Sequence, residues 1–310
     1  MPQSKSKKLS VIILNYNSGH YLSDCLQSLY QSKLPPTSWE IIVADNASTD
    51  NSFENLKNIK NKKVATHLLQ NGANLGFSKG NNAALKHTNG QLILFLNPDT
   101  LVPPDTLRKI LAFMEKSPQI AAATCRVVLA KTGKLQPECH RGFPTPWRAL
   151  CHFGGLDRLF PTSPLFSGYF QGQLPKDKTH LIEACVGAFL LLRREAGDKI
   201  SWWDEDYYWY GEDLDLCYRL AQNNLPLYFY PHCQITHYQG ISSGIKSQSK
   251  GHTQANLQTK LRSSRASTEA MKTFYRKHYQ NRYPHLLTAF VFLAINSLQT
   301  LRLIRARLSS

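Results

Sequence analysis

The run Leu92-Ile93-Leu94-Phe95-Leu96 does most to limit what this 310-residue chain can fold into. Five apolar residues in succession read as a strand buried on both faces, as in a parallel sheet covered by helices. The run stops at Asn97-Pro98-Asp99-Thr100, because proline has no N–H to give a sheet ladder. Asp99 is thereby delivered to the carboxyl edge of a sheet, where open α/β sheets bind ligands. Two readings fit that position. Asp99 holds a divalent cation that bridges the phosphates of a nucleotide, or it caps the helix that Pro103-Pro104-Asp105 begins.

The same grammar recurs along the chain. Leu9 to Asn15 is an apolar strand ending in Asn15-Tyr16-Asn17-Ser18, after which Tyr21, Leu22, Cys25, Leu26 and Leu29 follow at helical spacing. Glu40 to Ala44 ends in the acidic turn Asp45-Asn46-Ala47-Ser48-Thr49-Asp50, with a helix expected around Phe53, Leu56 and Ile59. Val64 to Leu69 leads into a Gly- and Asn-rich stretch, Asn71 to Asn82, and a helix through Leu85. Strand and helix alternate four times with short connections, which predicts an α/β fold with a mostly parallel central sheet and helices on both faces. Leu107, Ile110, Leu111 and Met114 line a further helix, and Ile120 to Leu129 a further strand. From Lys134 to Lys178 the period is lost, and an irregular loop of that length inside a domain is usually functional. Glu183 to Leu192 restores order, a helix opens at Gly211-Glu212-Asp213, and Leu227 to Tyr230 and Ile235-Thr236-His237 close the pattern.

Several functions are disfavoured. The first strand–helix turn lacks G-x-G-x-x-G and the chain has no G-x-x-x-x-G-K-[ST], which argues against a dinucleotide enzyme and a P-loop enzyme. The seven cysteines are scattered without a Cys-x-x-Cys pair, which suits a reducing compartment and small buried thiols; Cys139-His140 and Cys151-His152 fit no zinc spacing. The net charge is +16, but 246–310 carries twelve Lys or Arg against Glu269 alone, so the basicity belongs to the tail. That tail has no nucleic-acid motif and adjoins the apolar stretch Leu286 to Leu301, so nucleic acid is not the expected partner. Sixteen residues fall short of the ~20 that span a bilayer. From Ile295 onward Leu298, Leu301, Ile304 and Leu308 recur every three or four positions between arginines, the pattern of an interfacial helix on an anionic membrane surface. The expectation is one domain over 1–245 and a basic helical tail over 246–310. Met1 to Lys8 is polar and basic rather than a secretory signal, which predicts a cytoplasmic protein peripheral to the inner face of the cell membrane.

Residue by residue the site readings stay open at this level. Asp45 accepts from the imide of a uracil or thymine ring, or forms an Asx turn. The donors of Asn71 to Asn82 approach an anion, or shape an irregular loop. Glu212 and Asp213 cap a helix, or one of them is a catalytic base. His237 is a core histidine or a metal ligand.

Six blocks taken in order narrow these choices: Val11 to Asn17, Val43 to Asp50, Asn74-Leu75-Gly76-Phe77 with Gly80-Asn81-Asn82, Asn97 to Thr100, Gly211 to Leu216, and Ile235 to His237. Together they resemble glycosyltransferase family 2, inverting enzymes of the GT-A (nucleotide-diphospho-sugar transferase) fold, and within it the rhamnosyltransferase-like subgroup that builds bacterial surface glycans. The resemblance implies Asp45 at the nucleotide base, Asn74 and Asn81 near the ribose and diphosphate, Asp99 and His237 as ligands of Mg²⁺ or Mn²⁺, and Asp213 as catalytic base. Asn15, Gly76, Asn97 and Glu212 complete the implied nucleotide-sugar site. The implied partners are a nucleotide-sugar donor, with dTDP-rhamnose first, and a saccharide or polyprenyl-linked glycan acceptor. The chemistry is consistent. A hard cation offsets charge on the leaving diphosphate, and a carboxylate, kept ionised by a helix N-terminus, takes the acceptor hydroxyl's proton. Asn97 stands where the family's usual motif has a first acid, which weakens metal affinity in the absence of substrate. The aromatics Trp202, Trp203 and Tyr207 to Tyr210 divide between core and stacking on the acceptor.

Overall fold

The computed structural model describes residues 7–58, 64–240 and 257–308. Its strands and helices follow in the order β1 (Lys7–Asn15), α1 (Tyr21–Tyr30), β2 (Trp39–Asp45), β3 (Ala65–Gln70), α2 (Phe77–Leu85), β4 (Gly90–Leu96), β5 (Thr100–Leu101), α3 (Thr106–Lys116) and β6 (Ala122–Leu129). Then come α4 (Pro146–Phe153), α5 (Leu156–Leu159), β7 (His180–Ile182), β8 (Phe189–Arg193), α6 (Arg194–Lys199), α7 (Glu212–Gln222), β9 (Leu227–His237), α8 (Leu257–His278) and α9 (His285–Leu308). The uninterrupted apolar runs became the central strands, with Ile12, Ile42, Ile93 and Leu190 fully buried.

One sheet holds all the strands among the described residues, in the order β3-β2-β1-β4-β8-β6-β9-β5, with β7 also paired to β9. Strands β1, β2, β3 and β4 pair in parallel. β8 runs antiparallel to both β4 and β6, and β6 pairs in parallel with β9. It follows that β1 to β4, β6 and β9 all point one way, so Asn15, Asp45, Leu96 and His237 end their strands at one edge of the sheet. The register between β6 and β9 jumps from Cys125↔Tyr230 to Arg126↔Gln234, and Pro231, which cannot donate to the ladder, lies in the bulge. Two-residue β5 decides the site: Thr100 pairs with His237, so the chain just past Asn97-Pro98-Asp99 is stitched to the end of β9.

Three expectations are corrected. Among the described residues no α-helix forms around Phe53 and Leu56; there is a short 3₁₀ turn at Glu54–Asn58, although both side chains are buried as the spacing implied. The Asp50 carboxylate accepts from the Ser52 amide and hydroxyl and from the Gly19 amide, local bonds that compete with a helix start; Ile59 lies outside the described residues. The stretch from Lys134 to Lys178 is not wholly irregular, since α4 begins there with Pro146 at its first turn and the Thr145 side chain accepting from the Arg148 amide. The alternative role of Asp99 as cap of α3 is not taken up: Asp105 precedes that helix, and its carboxylate pairs with Lys33 and Arg108.

The tail is a helical hairpin fastened to the sheet domain. Ala270 and Phe274 of α8 and Tyr275 and Tyr279 pack with Tyr207 and Tyr218 in a second apolar cluster. A hydrogen bond between the Tyr275 and Thr288 hydroxyls and one from Arg302 to Ser267 show α9 running back along α8. The boundary expected at 245/246 lies outside the described residues. α9 is longer than its apolar run suggested. His285–Arg307 is long and apolar enough to cross a membrane, and only 11% of its apolar window is buried.

Candidate active site

The edge where the parallel strands end carries three adjoining groups of polar side chains. At the first, β5 holds Asp99 beside the end of β9, with the Tyr238 amide donating to the Asp99 carbonyl at 3.0 Å. His237 Nε2 lies 3.2 Å from Asp99 Oδ1 and 3.4 Å from Asn97 Nδ2, and both Asp99 and His237 are buried. On the far side of the ring, His237 Nδ1 is 2.7 Å from Gln136 Oε1. An amide oxygen only accepts, so Nδ1 donates to it, and a cation bound beside Asp99 would meet the Nε2 lone pair, the arrangement a metal-binding histidine needs. One carboxylate and one imidazole are an O/N donor pair that fits Mg²⁺ or Mn²⁺. Among the described residues no cluster of three or more His, Cys, Asp or Glu side chains is present, so these two donors are a partial set that substrate oxygens would complete.

The second group surrounds Asp213 on the first turn of α7. Gly211 enters that helix with φ +82°, a left-handed backbone, and a Cβ there would come within 3.1 Å of Ala270 on α8, so glycine lets the two helices close. Arg141 Nη2 donates to Asp213 Oδ1 at 2.9 Å, with both side chains 12% exposed. The Gly187 amide donates to Oδ2 at 3.2 Å and the Leu214 amide to Oδ1 at 2.7 Å. Arg141 is itself fixed by a two-way backbone bridge to Ala184. Burial works against its charge, but Asp213 together with Tyr169, Glu138 and Cys217 outweighs that, so its pKa is raised. Glu212 is buried, its Oε2 has no partner among the described residues, and burial, then the neighbouring Asp213 charge, push its pKa up to about 8. The first two groups are neighbours: the Asn97 amide donates to the Ala188 carbonyl at 3.1 Å, one residue from Gly187.

The third group lies at the ends of β1 and β2. Asn15 and Asp45 are cross-strand partners, and Asn15 Nδ2 donates to Asp45 Oδ1 at 2.7 Å and to Ser52 Oγ at 2.8 Å. Ser48 donates to Asp45 through both its hydroxyl and its amide, so the Asx-like turn is realised here. Asn74 Oδ1 accepts from the Gly76 amide, and Asn46 Nδ2 donates to the Gly76 carbonyl. Gly76 has φ +79°, and a Cβ would stand 2.5 Å from the Tyr208 carbonyl oxygen. That oxygen accepts from the Phe77 amide, the first N–H of α2, so one donor of this helix start is taken by Tyr208. Asn81 is buried and donates to the Phe77 carbonyl.

Asp99, Asn97 and His237 are thus brought together, as are Glu212 with Asp213, Asn15 with Asp45, and Asn74 with Gly76; Asn81 turns into its own helix. Trp202, Trp203 and Tyr207 belong to the core, while Tyr208 is exposed and Trp209 stacks on Tyr210. The sequence reading missed Gln136 and Arg141. Both fall in the stretch without periodicity, where no spacing marks a side chain that reaches back across the sheet.

Residues 10–200 match the family described as "Glycosyl transferase family 2". The chain belongs to that family. Over 253 residues it is 27% identical to the N-acetylglucosaminyl-diphospho-decaprenol L-rhamnosyltransferase of Mycobacterium tuberculosis, covering 76% of this chain and 78% of that protein. Rhamnosyltransferase WbbL of Escherichia coli (strain K12) is 25% identical over 238 residues, 74% of this chain and 82% of that protein. A shorter stretch of 112 residues is 34% identical to the poly(ribitol-phosphate) beta-N-acetylglucosaminyltransferase TarS of Staphylococcus aureus (strain Mu50 / ATCC 700699); it covers 35% of this chain and only 19% of TarS. The solved mannosyltransferase PcManGT of Pyrobaculum calidifontis, in complex with GDP-Man and Mn²⁺, superposes with a TM-score of 0.58 at 16% identity over 100% of this chain and 78% of that one. S. aureus TarS 1–349 gives a TM-score of 0.52 at 17% identity, covering 89% and 73%. At such identities the likeness establishes the GT-A fold of this family 2 chain and nothing finer.

Proposed function

We propose that this family 2 chain is an inverting, metal-assisted glycosyltransferase that moves a sugar, with rhamnose from dTDP-rhamnose as the leading donor, onto a hydroxyl of a saccharide or polyprenyl-linked glycan in bacterial surface polysaccharide synthesis. The observation that carries the reading is the placement of Asp99 and His237, 138 positions apart in sequence, with Oδ1 and Nε2 3.2 Å apart at the carboxyl edge of the sheet. Bound there, Mg²⁺ or Mn²⁺ would offset the charge that develops on the leaving diphosphate. The rest falls to the chain's own groups. Asp213, held by Arg141 and two backbone amides, takes the proton from the acceptor hydroxyl as that oxygen attacks the anomeric carbon. Asp45, Asn15, Asn74 and Gly76 shape the nucleoside end, Asn81 braces the first turn of α2 behind them through the Phe77 carbonyl, and Asn97 and Glu212 flank the reacting centre. In this reading α9 rests on an anionic membrane surface, at the inner face of the cell membrane, where a lipid-linked acceptor is found.

A second donor reading, a UDP-hexose, is favoured by one observation: TarS 1–349, of similar fold, has been solved in complex with UDP-GlcNAc. A thermal-shift panel of nucleoside diphosphates and their sugars, with and without Mn²⁺, separates the two. A ligand at 100 times its dissociation constant stabilises the native state by about 2.7 kcal/mol. A metal-dependent shift with dTDP-rhamnose supports the first reading and one with a UDP-hexose the second. A flat panel rejects both in favour of a non-catalytic, membrane-associated subunit.

A further inference from the structure

The exposed apolar surface of this protein is concentrated in two places. Of the sixteen large apolar side chains exposed among the described residues, six lie in α9, and six more are Trp147, Leu150, Phe153, Leu159, Phe160 and Leu165 in and after the α4–α5 hairpin. Scattered apolar residues need no explanation, but a contiguous set on one short motif does. The hairpin is also built to hold its shape. The Trp147 indole donates to the Leu165 carbonyl at 3.0 Å, His152 Nδ1 meets Asp157 Oδ2 at 2.6 Å across the turn, and Phe160 packs on Phe166 with ring centres 5.1 Å apart.

The hairpin and α9 are linked through Tyr169. Tyr169 stacks on His152 of α4 at 4.3 Å, and its hydroxyl is within electrostatic reach of Arg302 on α9. Arg158 borders the hairpin patch, and Arg305 and Arg307 are exposed near the end of α9. The inner side of the same segment meets the candidate base: Arg141 holds Asp213, the Gly142 amide donates to the Tyr169 carbonyl at 3.0 Å, and Arg148 grips Glu183 with two bonds of 2.5 and 2.8 Å.

We propose that the α4–α5 hairpin is a second membrane-docking element, which lies beside α9 in the boundary between headgroups and acyl chains of an anionic leaflet and brings a lipid-borne acceptor to the Asp213 wall of the site. The occupant is a bilayer because the other concentration of exposed apolar side chains, α9, is a helix of span-like length and composition. The hairpin patch is also tipped by a tryptophan and bordered by arginines, the composition of interfacial anchors. The inference rests on the membrane part of the proposed function, and its test leaves the donor question aside.

The test uses the full chain and vesicles of equimolar phosphatidylcholine and phosphatidylglycerol. Leu150 and Leu159 are 61% and 71% exposed, so Leu150→Glu/Leu159→Glu leaves the folded core intact. The double variant is expected to lower vesicle partitioning at least about tenfold. Brominated lipid is expected to quench wild-type fluorescence, with that quenching reduced in Trp147→Phe. Phe290→Glu/Leu293→Glu serves as the α9 control. Partitioning within about twofold of wild type in the hairpin variant, with loss in the α9 variant, overturns the proposal. So does a change in oligomeric state in the hairpin variant without lipid, which would make the patch a protein interface, and so does the absence of vesicle binding by wild type. The nucleotide thermal-shift panel run on the same proteins reports on the donor reading separately, since neither patch touches the nucleoside end.

Discussion

Arg141 and Asp213 form the pair whose disruption tests the base assignment most directly. Both side chains are 12% exposed and 2.9 Å apart. Replacing Arg141 by Met keeps most of the apolar stem and removes the guanidinium. The Asp213 carboxylate then keeps only the Gly187 and Leu214 amides. Removing one partner of a buried ion pair costs about 3–5 kcal/mol, because the other charge is left uncompensated. The two remaining amide donors moderate this, so Arg141→Met is expected to cost about 3 kcal/mol. Asp213→Asn should cost less, and the double variant should recover about 2 kcal/mol of the sum, because a neutral carboxamide no longer demands a cation. Urea unfolding followed by circular dichroism measures all three, with the denaturant slope checked for constancy. If Arg141→Met costs under about 1 kcal/mol, or the two changes add without coupling, Asp213 is not held as a charged group and the site description fails.

Glu212 gives a pH test. Its folded pKa of about 8 lies above the unfolded value of 4.5, so the protein's stability is expected to fall as pH rises from about 4.5 to about 8, and Glu212→Gln should flatten that part of the profile in unfolding measured across the range. Asp215 works in the opposite sense. Burial alone would raise its pKa, but the bond with His278 and the Arg219 charge bring it below 3.8, so its contribution is present above about pH 4 and lost on further acidification; Asp215→Asn should remove that acid limb. Gln136→Leu removes the acceptor for His237 Nδ1 and frees the ring to change tautomer. Mn²⁺ affinity in the presence of nucleoside diphosphate, measured by electron paramagnetic resonance, is expected to fall about tenfold while nucleotide affinity without metal stays unchanged; equal metal affinity would show that Gln136 does not orient the ring.

The central strands were legible because runs such as Leu92 to Leu96 and Phe189 to Leu192 need no partner to declare themselves: only a doubly covered sheet buries them. The edge residues that end them, Asn15, Asp45 and Asp99, were legible for the same reason. What periodicity cannot express is a side chain's reach across the sheet, and Gln136 and Arg141 act at that range. The α4 start carried a signal, Thr145-Pro146, that the aromatic and glycine content of the segment obscured. The length of α9 was understated because the apolar run was ended at Leu301 by the arginines that follow, whereas the helix continues to Leu308. The Thr300 hydroxyl donates to the Asn296 carbonyl and the Ser297 hydroxyl to that of Leu293, so these polar groups are satisfied inside the helix and do not end it.

The tail bears on the chemistry because of where it is tied. Asp215 sits two residues past Asp213 on α7, is fully buried, and is shared between Arg219 on its own helix and His278 at the end of α8, each at 2.7 Å. Arg219 also donates to the carbonyls of Ile200 and Trp202, which joins α7 to the aromatic segment, and Lys277 pairs with Asp204 and Asp206 of that segment. The helix that presents the candidate base is therefore held at Asp213 by Arg141 from the segment that precedes α4 and at Asp215 by His278 from the tail. An element that is fixed at two neighbouring positions by two different parts of the chain loses its orientation when either is removed, whatever happens to membrane affinity. Deleting 257–310 should then weaken the Asp213 site as well as vesicle binding, whereas the α9 surface variant, which leaves α8 docked, should weaken vesicle binding alone. If turnover of a soluble acceptor survived the deletion at its full rate, α8 would be an anchor and nothing more.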